Sequence, residues 1–226
     1  MGQRTFKDEI YGQFARIGKA LGSAARLELL DLLAQGERPV DDLAHEAGLS
    51  LANASAHLQV LRRAQLVVSR KEGLRVYYRL ADPAVYHLWV AVRSVAERQL
   101  AEVDRLVATY LRGRGSLEQV SRAELTRRLA EGHTIVLDVR PALEYRQGHI
   151  ASARSLPLDD LEARLDELDP AQEIVAYCRG PYCVYADDAV RALRARGFRA
   201  LRYEEGYPAW AAAGCPVAHE ELRVSA

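Results

Sequence analysis

Cysteine is scarce in this 226-residue chain, which has three cysteines, one methionine and modest numbers of glycines and prolines. An odd number of cysteines excludes a disulfide framework and favours a reducing compartment, where cysteine chemistry is catalytic, metal-binding or redox-sensing. No apolar run approaches the roughly 20 residues that span a bilayer, and the amino terminus lacks the apolar region of a signal peptide. We therefore expect a cytoplasmic protein that does not enter a membrane.

Excess charge is also missing, because 31 basic and 31 acidic side chains cancel. The distribution is nevertheless uneven: residues 1–112 carry a net charge of +3 and residues 113–226 carry −3. Residues 53–80 contain six basic side chains and a single acidic one, Glu72. This local excess suits a phosphate backbone, although a solvated charged face has the same composition.

The first half shows helical periodicity. Four helices are predicted in succession, and Ser50 is a good N-cap for the fourth, which runs from Leu51 to about Ala64. Leu51, Ala54, Leu58 and Leu61 fall on one side of this helix. The opposite side and flanks carry small, amide-bearing and basic residues, which let a helix approach DNA and pair with base edges.

Two β-prone segments follow, Leu66–Arg70 and Arg75–Leu80, around a basic hairpin tip. With the preceding helices they predict a winged helix-turn-helix. Residues 10–110 resemble the ArsR/SmtB family of bacterial repressors, through Leu21–Leu27, Leu49-Ser50 leading to Ser55–Leu61, and the wing Arg70–Leu80. One departure is Gln65, where the family usually has glycine, so this glutamine must adopt a strained conformation or reshape the turn.

The resemblance implies a homodimer that binds double-stranded operator DNA. The DNA-contacting candidates are Asn53, Ser55, Ala56, His57, Gln59, Arg63, Arg70, Lys71 and Arg75. A wide apolar stripe on a long helix over residues 83–110 favours cover by a second subunit. The metal-ligand sets of the family are not present, so we predict neither a metal site nor a cofactor.

Beyond a glycine-containing linker at 113–117, helix and strand alternate, which predicts an α/β domain over 118–226 with a mostly parallel sheet. The apolar strand Ile174–Tyr177 leads into Cys178 and, after a Gly-Pro turn, into helical sequence. A thiolate at Cys178 would face a helix amino end, which favours an anion and makes the sulfur a nucleophile. Cys183 closes this loop, and two structural cysteines remain an alternative reading.

Residues 118–220 resemble a single rhodanese domain, through Leu137–Arg140, Glu144-Tyr145, Gly148–Ile150, Tyr177–Gly180 and Gly206–Trp210. By this resemblance Cys178 carries sulfur and the loop residues Arg179, Gly180, Pro181 and Tyr182 surround it. Asp138, Arg140, Glu144 and His149 are expected to fix neighbouring loops, and Cys215 to be buried. Active rhodaneses commonly place arginine where Cys183 stands, a loss that weakens binding of an anionic donor unless Arg179 compensates.

The sequence thus predicts a winged helix domain over 1–112 joined to a rhodanese-like domain over 118–226. Our hypothesis is a dimeric repressor that senses reactive sulfur or thiol redox state through a Cys178 persulfide and a Cys178–Cys183 bridge. Its small-molecule partner is a sulfane-sulfur or oxidant donor. The alternative is a working sulfurtransferase whose winged helix serves dimerisation or localisation. Arsenate reductase or phosphatase chemistry is disfavoured, because those loops are one residue longer and end in arginine.

Overall fold

The computed structural model describes residues 3–111 and 117–220. The chain divides into two compact units, Met1–Arg98 and Gln99–Ala226. Residues 113–116 of the predicted linker lie outside the described residues, so the predicted domain boundaries stay predictions. Within the described ranges, no helix has the length and apolarity needed to cross a membrane.

The amino-terminal unit is mainly helical, with a small antiparallel sheet of strand order β1-β3-β2. Its elements, in chain order, are α1 (Gln3–Leu21), α2 (Ala24–Leu33), β1 (Arg38–Pro39), α3 (Val40–Glu46), α4 (Leu51–Arg63), β2 (Val67–Glu72), β3 (Arg75–Leu80) and α5 (Pro83–Gln99). This order, with β2 and β3 paired as a hairpin, is a winged helix-turn-helix and confirms the predicted fold.

Local chemistry sets the helix ends of this unit. The Ser50 side chain accepts a hydrogen bond from the Asn53 backbone N–H, which confirms the predicted N-cap of α4. Gln65 follows α4 with φ of 60°, so this glutamine adopts the left-handed conformation for which glycine is usual. The chain then turns directly into β2, with Leu66 and Val67 buried in the core.

The predicted single helix over 83–110 is wrong. Helix α5 ends at Gln99, Leu100 is extended (φ −112°, ψ 102°), and a separate helix α6 begins at Ala101 and ends at Tyr110. Val85 is the buried residue of α5, and α6 buries none. Since tertiary packing supplies most helix stability, an uncovered stretch has little to hold it in one continuous helix.

The carboxyl-terminal unit contains a five-stranded, fully parallel sheet of order β4-β9-β8-β5-β7 and a separate antiparallel pair, β10-β6. After α6, its elements are β4 (Gln119–Val120), α7 (Arg122–Glu131), β5 (Thr134–Asp138), α8 (Ala142–Gln147), β6 (His149–Ile150), β7 (Arg154–Ser155), β8 (Glu173–Tyr177), α9 (Tyr185–Ala195), β9 (Arg199–Tyr203), α10 (Gly206–Ala212) and β10 (Val217–Ala218). The predicted α/β class and parallel sheet are confirmed.

Strand β8 lies in the middle of this sheet, between β9 and β5, and its residues Ile174–Tyr177 are fully buried. The central position explains the short unbroken apolar run. Two 3-10 helices, Leu158–Asp160 and Glu162–Glu167, follow β7, and the second is kinked at Arg164, whose backbone angles are not helical. The irregular path keeps Leu161, Leu165 and Leu168 in the core.

A candidate thiol loop and DNA-binding face

The loop between β8 and α9, residues 178–184, carries the predicted reactive cysteine. Cys178 directly follows the buried end of β8 and is 2 % exposed. Its sulfur is joined to that of Cys183 in a disulfide, with the two Cα atoms 6.3 Å apart. Inside the loop, the Cys183 backbone N–H donates to the Gly180 carbonyl at 3.2 Å. The loop therefore holds its two cysteines close enough for their sulfurs to bond.

The first residues of α10 hold the thiol loop in position through backbone contacts. The Tyr207 backbone N–H donates to the Cys178 carbonyl at 3.2 Å. Gly206 has φ of +75°, and a Cβ there would lie 2.6 Å from the Gly180 nitrogen and 2.7 Å from the Cys178 oxygen. Only glycine fits both this conformation and this close approach, so Gly206 fixes where the loop lies.

Arg179, the residue after the reactive cysteine, is held by a carboxylate. Its Nε and Nη2 donate to Glu144 Oε1 at 2.8 and 2.5 Å, and its guanidinium lies 5.8 Å from the centre of the Tyr185 ring. Glu144 is 1 % exposed, so the ion pair is largely out of water. Because Glu144 already matches the charge of Arg179, we expect Arg179 to be a weak substitute for the missing loop arginine.

A second buried ion pair lies at the ends of β5 and β8. Arg140 donates from Nη2 to Asp138 Oδ2 at 2.5 Å and to the Gly148 carbonyl at 2.7 Å, and Tyr177 donates to the same carboxylate. Burial raises the pKa of Tyr177 well above its usual value, and the negative charge of Asp138 adds to the effect. These contacts join three loops, in agreement with the predicted positioning role of Asp138 and Arg140.

A further buried arginine, Arg202 on β9, was missed by the sequence reasoning. Its Nε lies 2.7 Å from Asp187 Oδ1 on α9, and its Nη2 donates to the Pro181 carbonyl at 3.4 Å. It therefore ties the thiol loop to the neighbouring strand and helix. A charged residue inside a short apolar strand, with an acidic residue early in the next-door helix, is the signal that could have found it.

The remaining loop and cysteine residues differ in exposure. Tyr182 and Val184 are 44 % and 41 % exposed, so the loop presents apolar surface at its outer end. Cys215 is a free thiol of intermediate exposure, and the expectation that it is buried is therefore wrong. It follows the carboxyl end of α10, where the chain returns towards the surface. His149 is buried, and its Nδ1 lies 2.8 Å from the Tyr145 carbonyl, which fits a positioning role.

In the amino-terminal unit, α4 is the predicted recognition helix. Ala54, Leu58 and Leu61 are fully buried against the core, while Asn53, Ala56 and Arg63 are exposed. Ser55 and His57 lie at intermediate exposure on the flanks. Leu51 was assigned to the buried side but is 55 % exposed, because it stands in the first turn, beyond the edge of the core.

Two contacts join this helix to the wing, the β2-β3 hairpin. Gln59 Nε2 donates to the Tyr78 hydroxyl at 3.1 Å, and Arg62 Nη1 donates to Ser69 Oγ at 3.3 Å. Gln59 is half-buried, so this predicted DNA-contacting amide is already used within the protein. Its structural contribution is to fix the angle between α4 and the wing.

The wing carries the other predicted basic residues. Lys71 and Arg75 are exposed near its tip. Arg70 is bound to Glu37, with its Nε and Nη2 2.8 and 2.6 Å from Glu37 Oε2, and to Glu72. Hydrogen bonds to Glu37 and Glu72 raise the pKa of Arg70. The charge of Arg70 is therefore matched by two carboxylates, so Arg70 is not part of an open cationic patch.

In the described ranges, no group of three or more His, Cys, Asp or Glu side chains is placed to hold a metal ion. The described residues bring together a pair of cysteines beside buried ion pairs in the carboxyl-terminal unit. In the amino-terminal unit they bring together a recognition helix and a wing.

Comparison with known proteins agrees with this division. Residues 23–69 match the family of bacterial regulatory proteins, arsR family, and residues 121–213 match the rhodanese-like domain. The carboxyl-terminal part is similar to a sulfurtransferase of Allochromatium vinosum, 31% identical over 107 residues that cover 46% of this chain and 98% of the relative. A solution structure of the homodimeric winged helix-turn-helix DNA-binding domain (fragment 1-100) of Mb0332 from Mycobacterium bovis is 47% identical, with a TM-score of 0.41 over 44% of this chain and 93% of that one.

A relative that matches along nearly the whole length is the HTH-type transcriptional regulator Rv0324 of Mycobacterium tuberculosis. The two sequences are 46% identical over 217 residues, which cover 96% of this chain and 95% of the relative. Both the winged helix and the rhodanese unit fall inside that match. The chain therefore belongs to the ArsR-family transcriptional regulators that carry a carboxyl-terminal rhodanese domain.

Proposed function

We propose that this regulator binds operator DNA as a homodimer and that its rhodanese domain senses reactive sulfur species or thiol redox state. The observation that carries the proposal is the pairing of Cys178 with Cys183 inside the loop that follows β8. Asn53, Ala56 and Arg63 on α4, with Lys71 and Arg75 on the wing, are the exposed residues through which it contacts DNA.

The chemistry needs only the two thiols and a persulfide donor. The Cys178 thiolate attacks the outer sulfur of a hydropersulfide, R–S–SH, forms a Cys178–S–SH bond and releases the thiol R–SH. The Cys183 thiolate then attacks Cys178 Sγ and expels hydrogen sulfide, leaving the Cys178–Cys183 disulfide. The two cysteines lose two electrons, and the donor's sulfane sulfur gains them. An oxidant that forms a sulfenic acid at Cys178 leads to the same bridge, with loss of water.

Bridging changes the loop that Gly206, Arg202 and Glu144 hold in place, and this change is the signal passed to the DNA-binding unit. A useful switch requires a coupling free energy of about 1–3 kcal/mol, which is a change of about 5- to 150-fold in operator affinity.

The test is an operator-binding titration on a duplex selected from a random library, with reduced protein and with protein treated with polysulfide. We expect the affinity of the wild type to change on treatment, and that of Cys178→Ser and Cys183→Ser to stay constant. Cys215→Ser is the matched control and keeps the response. An identical response in the wild type and both loop variants contradicts the proposal.

A second function, catalytic sulfur transfer, is favoured by the similarity of the carboxyl-terminal part to the Allochromatium vinosum sulfurtransferase. Replacement of the usual loop arginine by Cys183 argues against rapid turnover, because Cys183 discharges the persulfide before an acceptor arrives. Steady cyanide-dependent turnover of thiosulfate, with no sequence-specific DNA binding, favours the enzyme over the sensor.

A further inference from the structure

The charges around the thiol loop indicate which donors it accepts, an inference that rests on the proposed sensing function. Three arginines with buried or nearly buried side chains lie in the loop or next to it: Arg179 within it, Arg202 bonded to its Pro181 carbonyl, and Arg140 beside the ring of Tyr177, the residue before Cys178. Each is matched by a carboxylate: Arg179 by Glu144, Arg140 by Asp138, and Arg202 by Asp187. Arg202 also lies 3.6 Å from Glu204. Among the described residues, these three arginines therefore leave no excess positive charge to attract an anion.

Because Cys178 is buried, the charge balance around it determines which donors can reach its sulfur. Cys178 is 2 % exposed in the bridged form, and its place at the buried end of β8 means that a donor must give up most of its water to bring a sulfur atom against it. Moving a charged group out of water without a counter-charge is strongly unfavourable, whereas an uncharged donor has no such cost. The residue that would otherwise offer a cation at the end of the loop is Cys183.

The outer end of the loop adds apolar surface. A cavity of about 380 Å³ within the carboxyl-terminal unit is lined by six apolar or aromatic residues. These are Val103, Leu106, Val107, Tyr110, Leu111 and Tyr182. Tyr182 belongs to the thiol loop itself and stands immediately before Cys183. An alkyl or allyl group attached to a sulfur chain fits this cavity, and a sulfonate does not.

We infer that the loop is selective for uncharged sulfane-sulfur donors with an apolar body, such as organic polysulfides, and discriminates against anionic donors such as thiosulfate. Glu144 is the specificity-determining residue, because it neutralises Arg179. With a dialkyl trisulfide, the Cys178 thiolate attacks an outer sulfur, forms a Cys178–S–S–R disulfide and expels the persulfide R–S–S⁻. Cys183 then displaces R–S⁻ from Cys178 and closes the bridge.

The test compares two probes that share the same trisulfide unit, diethyl trisulfide and bis(2-sulfonatoethyl) trisulfide. Their rates of reaction with the reduced full-length protein are followed by intact mass, and each is divided by the rate with N-acetylcysteine amide. We expect the neutral probe to react faster by at least about tenfold. Equal rates, or faster reaction of the anionic probe, overturn the inference and leave the sensing proposal standing. Reaction with neither probe overturns both.

Two variants test the assigned cause. Glu144→Gln keeps the size of the side chain but removes the counter-charge of Arg179, and we expect the selectivity ratio to move at least about tenfold towards the anionic probe. If that variant does not fold, Cys183→Arg places a cation in the loop, and the first adduct on Cys178 reports the same shift. Glu167→Gln, which removes the partner of the exposed Arg164, is the matched control and leaves the ratio unchanged.

The apolar cavity is tested separately. Leu106 is 57 % exposed, so Leu106→Gln is tolerated by the fold. We expect it to slow the neutral probe and to leave the anionic probe unaffected. An equal change in both rates contradicts the assignment of the cavity to the donor's apolar body.

Discussion

Gly206 decides where the reactive sulfur lies, although helix α9 and strand β9 separate it from Cys178 in the sequence. Its backbone lies against Cys178, Arg179 and Gly180, and its φ of +75° suits glycine alone. At the same scale, Glu144 and Asp187 each neutralise an arginine beside the loop. Single residues outside the loop thus set both its position and its charge.

We expect Gly206→Ala to slow the reaction of reduced Cys178 with a sulfane-sulfur donor by about tenfold or more, since small misplacements of reacting atoms are costly. The added Cβ would meet the Gly180 nitrogen at 2.6 Å, so the loop must move. The matched control is Gly214→Ala, where φ is +72° but nothing lies within 4 Å. Both variants carry about 1–2 kcal/mol of left-handed strain, and the Gly206 variant adds the cost of the backbone clash, so its melting temperature falls further. Equal reactivity of the Gly206 and Gly214 variants contradicts the claim that the close backbone contact at Gly206 positions Cys178.

Among the elements, the recognition helix and the wing act as one piece. The Gln59–Tyr78 and Arg62–Ser69 hydrogen bonds join α4 to the hairpin, and Glu37 reaches across to Arg70. The basic patch therefore has two kinds of member: Lys71 and Arg75, which are exposed near the tip, and Arg70, whose charge is matched. The first kind contributes most to phosphate binding.

Salt titration separates these two kinds. We expect Lys71→Ala or Arg75→Ala to reduce the slope of log K against log salt by about 0.9, the effect of one lost phosphate contact. Arg70→Ala has a smaller effect, because Glu37 and Glu72 already hold that guanidinium. Glu37→Gln removes one of the two carboxylates that hold Arg70 and therefore steepens the slope. A larger loss from Arg70→Ala than from Lys71→Ala contradicts this division of the patch.

At the scale of the whole molecule, the amino-terminal unit leaves large apolar side chains uncovered. Phe6, Tyr11 and Phe14 on α1 are 60–67 % exposed, and Val95 on α5 is 52 % exposed. Exposed apolar side chains on two helices of one unit suit a self-complementary interface between two copies. A dimer presents two recognition helices to the two halves of a palindromic operator.

We expect Phe14→Glu and Val95→Glu to convert the proposed dimer to a monomer and to weaken operator binding sharply, since a charge at an apolar contact has no partner there. Sedimentation velocity gives the oligomeric state, and circular dichroism shows that the helices remain. The control is Val217→Glu, a similarly exposed valine of the carboxyl-terminal unit. Dimers of unchanged affinity in both helix variants contradict the interface.

The amino-acid sequence by itself determined the two folds, because periodicity, caps and turn residues are local. Ser50 caps α4 as expected, and the apolar run before Cys178 forms the central strand β8. It also brought Cys178 and Cys183 into one loop, since five residues of separation limit their distance.

Tertiary structure decided what local patterns do not contain. The break at Leu100 depends on which faces are covered, and the pairing of Arg179 with Glu144 joins residues 35 positions apart. Arg202 and Gly206 reach the loop only because β9 lies beside β8. Charge balance and close packing depend on distances in space, and these are the properties that give the thiol loop its proposed selectivity.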